Sequence, residues 1–198
     1  MYEKIAECER RYFGQGVPTI FKITDGLDIE FDKLLAKQGY EVVTPTYLMT
    51  VDLNPLHIVP GECVMTSHID DNWMEAYFTL SKYTDEMKID IARRIYSNIK
   101  VSVLCGRITN NGMTIACGLC VIERGYAGLF NVVVDEEQRG KGYGIGICES
   151  LLSEAKRIGA HTSYLQVVQH NHTAINMYTK LGYKNLYSYW YRVKKGDV

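Results

Sequence analysis

Apolar and polar positions alternate along most of this chain with a period that changes from two to three-and-four and back. After residue 60, Cys63 to Ser67 reads as a short strand. Asn72 with Glu75 three residues on reads as a capping box opening a helix through Tyr77, and a second helix follows Thr84 with Asp85 and Glu86 in its first turn. Val101 to Thr109 and Met113 to Ile122 are apolar, β-branched runs joined through Asn110-Asn111-Gly112, a hairpin signal. They lead into a third strand, Tyr126 to Asp135. Apolar residues then recur at Ile145, Cys148, Leu151, Leu152, Ala155 and Ile158, the spacing of an amphipathic helix. A strand at Ser163 to Val168, a helix at Thr173 to Leu181 and a strand at Leu186 to Val193 complete the series.

The first fifty residues carry a weaker pattern of the same kind. Ala36-Lys-Gln-Gly-Tyr-Glu41 aligns with Thr179-Lys-Leu-Gly-Tyr-Lys184, each followed by a strand-like run. Moving back, Thr19 to Thr24 matches the 163 to 168 strand, and Ile5 to Phe13 matches the helix after Gly144. Leu35 then stands opposite Tyr178 and Asp28 opposite Asn171. Asn54-Pro55 and Val59-Pro60-Gly61 mark a linker, which divides the chain into residues 1–60 and 61–198.

Between the Tyr126 strand and the helix that follows, the chain reads Asp-Glu-Glu-Gln-Arg-Gly-Lys-Gly-Tyr-Gly-Ile-Gly. Gly144 and Gly146 fall in the first turns of that helix, where each costs roughly 1 kcal/mol relative to alanine. Backbone amides without a nearby Cβ approach an anion closely, and a helix start favours negative charge, so a diphosphate fits. Spacing excludes two familiar phosphate loops. The lysine precedes Gly142 and no hydroxyl follows it, unlike a nucleotide P-loop; the sixth position of a dinucleotide fingerprint is Ile145.

Arg139-x-x-Gly142-x-Gly144 resembles the pyrophosphate loop of the GNAT N-acetyltransferase superfamily. A second run, Asn171-His-Thr-Ala174-Ile-Asn-Met-Tyr178-Thr-Lys180-Leu-Gly182-Tyr183, is similar to the GNAT pattern Asn-x-x-Ala-x-x-x-Tyr-x-Lys-x-Gly-aromatic. The resemblance covers residues 62 to 193. It implies an α/β (α+β) fold with a mixed, mostly antiparallel central sheet flanked by helices. Here that domain is preceded by a helix-strand-helix-strand half-repeat, a degenerate copy without cofactor loop or catalytic tyrosine.

The resemblance also implies acetyl-CoA as cosubstrate and transfer of its acetyl group to a primary amine by direct attack. Amides of Gly140, Lys141, Gly142, Tyr143, Gly144 and Ile145 would hold the diphosphate, with Arg139 and Lys141 as counter-charges. The backbone of Val132, Val133 and Val134 would pair with the pantetheine arm like an added strand, and one amide there would polarise the acetyl carbonyl. Asn171 would bond the pantetheine amide or cap the following helix. Tyr178 would be the general acid for the departing thiolate, since a phenol with pKa near 10 stays protonated at neutral pH. Related enzymes carry a glutamate base on the strand where this chain has Gln166, which leaves water, Glu123 or Asp135 as candidates. Trp73, Tyr77, Tyr187, Tyr189 and Trp190 are candidates for the wall of an acceptor cleft, the acceptor being a small-molecule amine or a peptide or protein amino group. An acyl-CoA-binding sensor and an assembly module are the competing readings.

Composition narrows the partners. The formal net charge of -1 with no basic run argues against a nucleic-acid partner. No apolar stretch approaches the roughly 18 residues of a spanning helix, and the charged start Met-Tyr-Glu-Lys is unlike a signal sequence, so a cytoplasmic protein without membrane contact is expected. Of the six cysteines only Cys117-Gly-Leu-Cys120 looks like a motif, and in a strand its members face opposite sides. With His170 and His172 offering at most two ligands, no metal is expected. The spare strand of the half-copy, Val42 to Val51, is expected to pair with Leu186 to Val193, within the chain or in a homodimer.

Overall fold

The computed structural model describes residues 1–26 and 29–196. Its elements in chain order are α1 (Tyr2–Phe13), β1 (Thr19–Thr24), α2 (Ile29–Lys37), β2 (Glu41–Asp52), β3 (Val64–Thr66), α3 (Asp71–Leu80) and α4 (Glu86–Ser97). Then follow β4 (Ser102–Asn110), β5 (Met113–Glu123), β6 (Tyr126–Val134), α5 (Tyr143–Arg157), β7 (Thr162–Val168), α6 (His172–Lys180) and β8 (Lys184–Lys194). The chain divides into two compact units, Thr50–Leu165 with Thr173–Lys184, and Met1–Met49 with Gln166–His172 and the segment from Asn185.

In the larger unit the strands lie in the order β7-β6-β5-β4-β3. Tight hairpins join the middle of this sheet. Asn111 (φ 49°) and Gly112 (φ 79°) turn β4 into β5, and Arg124 (φ 52°) and Gly125 (φ 79°) turn β5 into β6; two consecutive left-handed residues match the right-handed twist of the flanking strands. Helices cover both faces. On one, Trp73, Val103, Cys105, Cys117 and Leu119 form a buried cluster, with the Trp73 indole N–H donating to Gly118 O at 3.0 Å. On the other, a Cβ at Gly118 would meet Leu151 Cδ1 at 3.0 Å, so alternation along β5 gives α3 one face and α5 the opposite one.

Two sequence expectations change here. The helix expected to open with an Asn72–Glu75 capping box starts earlier: Asp70 is the cap, accepting from Trp73 N at 2.7 Å. An aspartate in the preceding turn outcompetes the box because it reaches the same orphan amides with an ionised oxygen. Trp73, one candidate for a cleft wall, is wholly buried in the core.

In the smaller unit the order is β1-β8-β2, with the last residues of β7 beside β2, where Gln169 N donates to Pro45 O at 2.8 Å. The helix-strand-helix-strand half-repeat is present as α1-β1-α2-β2, matching α5-β7-α6-β8. Repeat-mates β2 and β8 are neighbours, as expected from the sequence, and β1 closes the other side of β8 in antiparallel register from Thr19↔Lys194 to Thr24↔Tyr189. Leu35 fills the core with Ile5, Ile23 and Tyr40; Asp28, its companion in the repeat alignment, lies outside the described residues.

Asp32 on α2 is the polar centre of this unit. It accepts from Arg192 Nε at 2.8 Å, Arg192 Nη2 at 2.7 Å and Trp190 Nε1 at 2.8 Å, and the Arg192 guanidinium holds its carboxyl below the usual range. Such a nearly buried pair gives register more than net stability.

Deleting residues 1–60 removes both strands that flank β8. The shortened protein is expected to aggregate or to lose cooperative melting, read by size-exclusion chromatography and a thermal scan. A monomeric, cooperatively melting product would show residues 1–60 to be dispensable for the fold.

Candidate active site

The site is assembled on β6. The parallel ladder between β6 and β7 runs only from Tyr126↔Thr162 to Leu129↔Leu165. Beyond Leu129 the β6 backbone keeps only its β5 partner among the described residues. That partnership is itself interrupted: the register steps from Leu119↔Phe130 to Cys117↔Val133, so Asn131 and Val132 stand opposite Gly118 alone. This is a β-bulge, with Asn131 at φ 52°. Asparagine suits the left-handed position better than the neighbouring valines would, and its Nδ2 donates to Tyr96 Oη at 2.8 Å.

After the bulge the strand is regular again. Asp135 N donates to Ile115 O at 2.8 Å, which makes Ala116↔Val134 a non-hydrogen-bonded pair. The N–H and C=O of Val134, and by alternation those of Val132, point away from β5, whereas Val133 is committed to it. Of the three valines named from sequence, two therefore turn their amides away from β5, and the Val134 carbonyl accepts from Arg139 Nε at 3.4 Å.

The chain then enters a 3-10 turn, Glu136–Gln138, capped by Asp135, whose Oδ1 accepts from Glu137 N at 2.9 Å. Gly140 (φ 77°) and Gly142 (φ 88°) follow, both left-handed, and a Cβ at either would meet nothing within 4 Å. They are glycines because of the backbone conformation, and the space beside them is open. Helix α5 begins at Tyr143 with Gly142 at its cap position, no side-chain cap and no acid in its first turn. Helices α3 and α4 are each capped by an aspartate, Asp70 and Asp85. Helix α5, the longest among the described residues, thus leaves its first amides without the carboxylate that those two receive.

The remaining glycines of the motif have different reasons. A Cβ at Gly144 would lie 2.7 Å from Met177 Sδ of α6, so a larger residue here would make that flexible side chain shift. A Cβ at Gly146 would make only an ordinary contact with Ile108 at 3.7 Å. Of the cations, Arg139 Nε lies 3.4 Å from Val134 O and its Nη2 is 3.7 Å from Glu136 Oε1; Lys141 Nζ donates to Gln138 Oε1 at 2.8 Å.

Tyr178 sits on α6 one residue beyond Met177, with 9% of its surface exposed. Its ring meets Tyr183 edge-on at 5.9 Å. The hydroxyl of Tyr183 is committed to Ser163 Oγ at 2.5 Å, whereas that of Tyr178 has no hydrogen-bond partner among the described residues. Burial pushes the Tyr178 phenol well above its ordinary value. Asn171 belongs to the smaller unit, where its N–H donates to Val168 O at 2.9 Å.

Neither carboxylate weighed as a base is placed for that role. Glu123 pairs with Tyr126 at the hairpin end of β6, five residues before the bulge at Asn131, and at about 3.3 Å per residue that is on the order of 17 Å. The Asp135 carboxylate is occupied as a cap. Gln166 Oε1 accepts from Tyr189 Oη at 2.9 Å. Tyr77 stacks on Trp73 at 5.5 Å between ring centres. All six cysteines are free, and burial raises the thiols of Cys105, Cys117 and Cys120 to about 12, so they pack as neutral side chains. Among the described residues no three His, Cys, Asp or Glu side chains converge as metal ligands, and no helix is long and apolar enough to cross a membrane.

Sequence reasoning missed Asn131, Tyr96 and Met177. Only Asn131 left a signal, as a strand-disfavoured residue inside Leu-Phe-Asn-Val-Val-Val.

A strand edge with amides turned away from its neighbour, leading into an uncapped, glycine-flanked helix start, is a geometry that suits a ligand with an extended amide-bearing arm and a phosphate end, as in acyl-CoA-dependent transferases. The acetyltransferase (GNAT) family model matches residues 68–183, and the chain belongs to that family. It is accordingly an acyltransferase that takes acyl groups from CoA thioesters. The chain is 27% identical over 203 residues to the uncharacterised N-acetyltransferase YobR of Bacillus subtilis, covering 96% of this chain and 78% of that one. It is 32% identical over 77 residues to the ribosomal protein bS18-alanine N-acetyltransferase of Escherichia coli, covering 39% of this chain and 52% of that one. Among solved structures, a tandem GNAT protein from the clavulanic acid biosynthesis pathway superposes with a TM-score of 0.77 at 13% identity, covering 100% of this chain and 70% of that one. The last likeness is one of fold.

Gly142→Glu places a carboxylate where the helix start favours an anion, at a backbone cost of about 1–2 kcal/mol. Titration calorimetry is expected to show acetyl-CoA affinity falling by about 100-fold or more while far-UV circular dichroism stays native. Unchanged affinity in the folded variant would remove the turn from the binding site.

Proposed function

We propose that this protein is an N-acetyltransferase that moves the acetyl group of acetyl-CoA to a primary amine, with Tyr178 as its general acid. The observation that carries the reading is the continuity of unpaired backbone donors, from Val132 and Val134 on the open edge of β6 to the first amides of α5. The residues present fit the coenzyme: the open amides suit an amide-bearing arm, and the uncapped helix start between Gly140 and Ile145 suits a diphosphate.

Acetyl-CoA supplies an acetyl thioester activated toward amines. The chain's part is to hold and to deliver protons. The Val132 amide, re-aimed by the bulge and adjacent in sequence to the Asn131–Tyr96 brace, polarises the acetyl carbonyl; a pre-oriented donor needs little reorganisation during reaction. Arg139 and Lys141 add positive charge beside the turn. Asn171 supports the arm or the start of α6. Tyr178 keeps its proton at Oη because burial disfavours the phenolate, and the same burial raises the basicity of a departing thiolate. Transfer between them is then less uphill than values in water suggest.

The acceptor is an amine, on a small molecule or at a peptide or protein terminus. The matching stretch in the bS18-alanine N-acetyltransferase supports the second class. Of the two carboxylates weighed, Glu123 lies at the hairpin end of β6 and Asp135 is occupied as a cap, which favours deprotonation through water. It is also the one observation that favours the competing reading, an acyl-CoA sensor.

Release of free thiol from acetyl-CoA, followed across amines and peptide amino termini, is expected to register turnover. Tyr178→Phe should lower it by roughly 100-fold with coenzyme affinity little changed. Because the phenol is raised above its ordinary value, no loss of activity from Tyr178 ionisation should appear below about pH 10. Full turnover in Tyr178→Phe would remove the hydroxyl from the chemistry. Tight coenzyme binding without thiol release to any acceptor would favour the sensor.

A further inference from the structure

We propose that the cavity beside the start of α5 binds the 3′-phosphate on the ribose of the coenzyme, with Arg107 as the cation that recognises it. The inference rests on the acetyl-CoA reading above and extends it to residues outside the glycine turn.

The cavity has a volume of about 860 Å³, within the usual range for small-molecule sites. Lys141, Gly142 and Tyr143 of the turn form one wall, and Arg107 and Thr109 of β4 form another. It therefore begins at the residues that the coenzyme reading assigns to the diphosphate. A CoA nucleotide carries one more phosphate, a single ribose away from that diphosphate.

Arg107 is the informative residue. Arg10, Arg11, Arg93, Arg94, Arg124, Arg139, Arg157 and Arg192 all lie within ion-pair distance of a carboxylate. Among the described residues Arg107 has no such carboxylate and no side-chain hydrogen bond, although it is half-buried. Its backbone is fixed in β4 between Val64 and Cys117, so the guanidinium is carried by a rigid strand. Partial burial of a charge without a partner is costly, and a planar guanidinium matches a phosphate with two parallel hydrogen bonds. Lys141 adds a second cation. Glu62 is the one carboxylate among the residues of this wall; it is exposed and beyond ion-pair distance of Arg107.

The test compares CoA with 3′-dephospho-CoA by calorimetry. The unmodified protein is expected to bind CoA about tenfold or more tightly, the worth of a charge-assisted pair. In Arg107→Met, which keeps the apolar stem, CoA affinity should fall to the dephospho-CoA level while dephospho-CoA affinity is unchanged. Equal binding of the two ligands by the unmodified protein overturns this inference and leaves the coenzyme reading standing, and that arm needs no variant to fold. Equal weakening of both ligands in Arg107→Met also overturns it. Failure of both ligands to bind overturns the coenzyme reading and this inference together.

Discussion

Backbone hydrogen bonding that the fold withholds from its own central strand organises this protein. A buried or half-buried strand normally pairs on both sides, because an unpaired N–H or C=O away from water costs as much as a lost hydrogen bond. Here β6 loses its β7 partner after Leu129 and slips its register against β5 at Asn131. The slip is held in place from several directions. Asn131 takes up the left-handed backbone, Tyr96 accepts from its side chain, and the opposing Gly118 carbonyl is fixed by Trp73. What emerges is a short run of backbone in which Val133 is bonded to β5, the Val132 and Val134 amides face away from it, and the Val134 carbonyl accepts from Arg139 Nε at 3.4 Å. A ligand with its own amides satisfies such an edge, which is why the strand can carry specificity without any charged side chain.

The same logic continues into α5. A helix of this length could be capped by an aspartate, as α3 and α4 are, and would be more stable for it. Gly142 at the cap position forgoes that stabilisation, and the left-handed Gly140 and Gly142 leave the space beside the amides open. Helix stability is supplied elsewhere, by Ile147, Cys148, Leu151, Leu152 and Ala155 on the buried face and by the close approach of Met177 at Gly144. That approach packs α6, the helix that carries Tyr178, against α5.

Much of this was legible in the sequence, for reasons that differ by element. β1 was read to its ends through its alignment with the 163 to 168 strand, and the amphipathic face of α5 because its period is long and regular. The half-repeat was legible through Gly39 and Gly182, both left-handed after a helix, where glycine is needed. The start of α3 was misplaced because two acids and an asparagine compete for one cap, and only geometry decides among them. Gly144 also faces Met177 of α6, a contact that helix propensity does not show; propensity tells that a glycine is costly, not what requires it. The placement of β8 between β1 and β2 follows from non-local pairing that no local pattern encodes. Arg107 was invisible for the opposite reason: a lone arginine in a strand carries no motif, and its meaning comes from what is absent around it.

Amide hydrogen exchange with and without acetyl-CoA tests the central claim directly, since it reads the backbone groups themselves. The account predicts slowed exchange at Val132, Val134 and the amides from Gly140 to Ile145, with Val133, already bonded to β5, changing little. Protection confined to other elements, or none on saturation with acetyl-CoA, would contradict it.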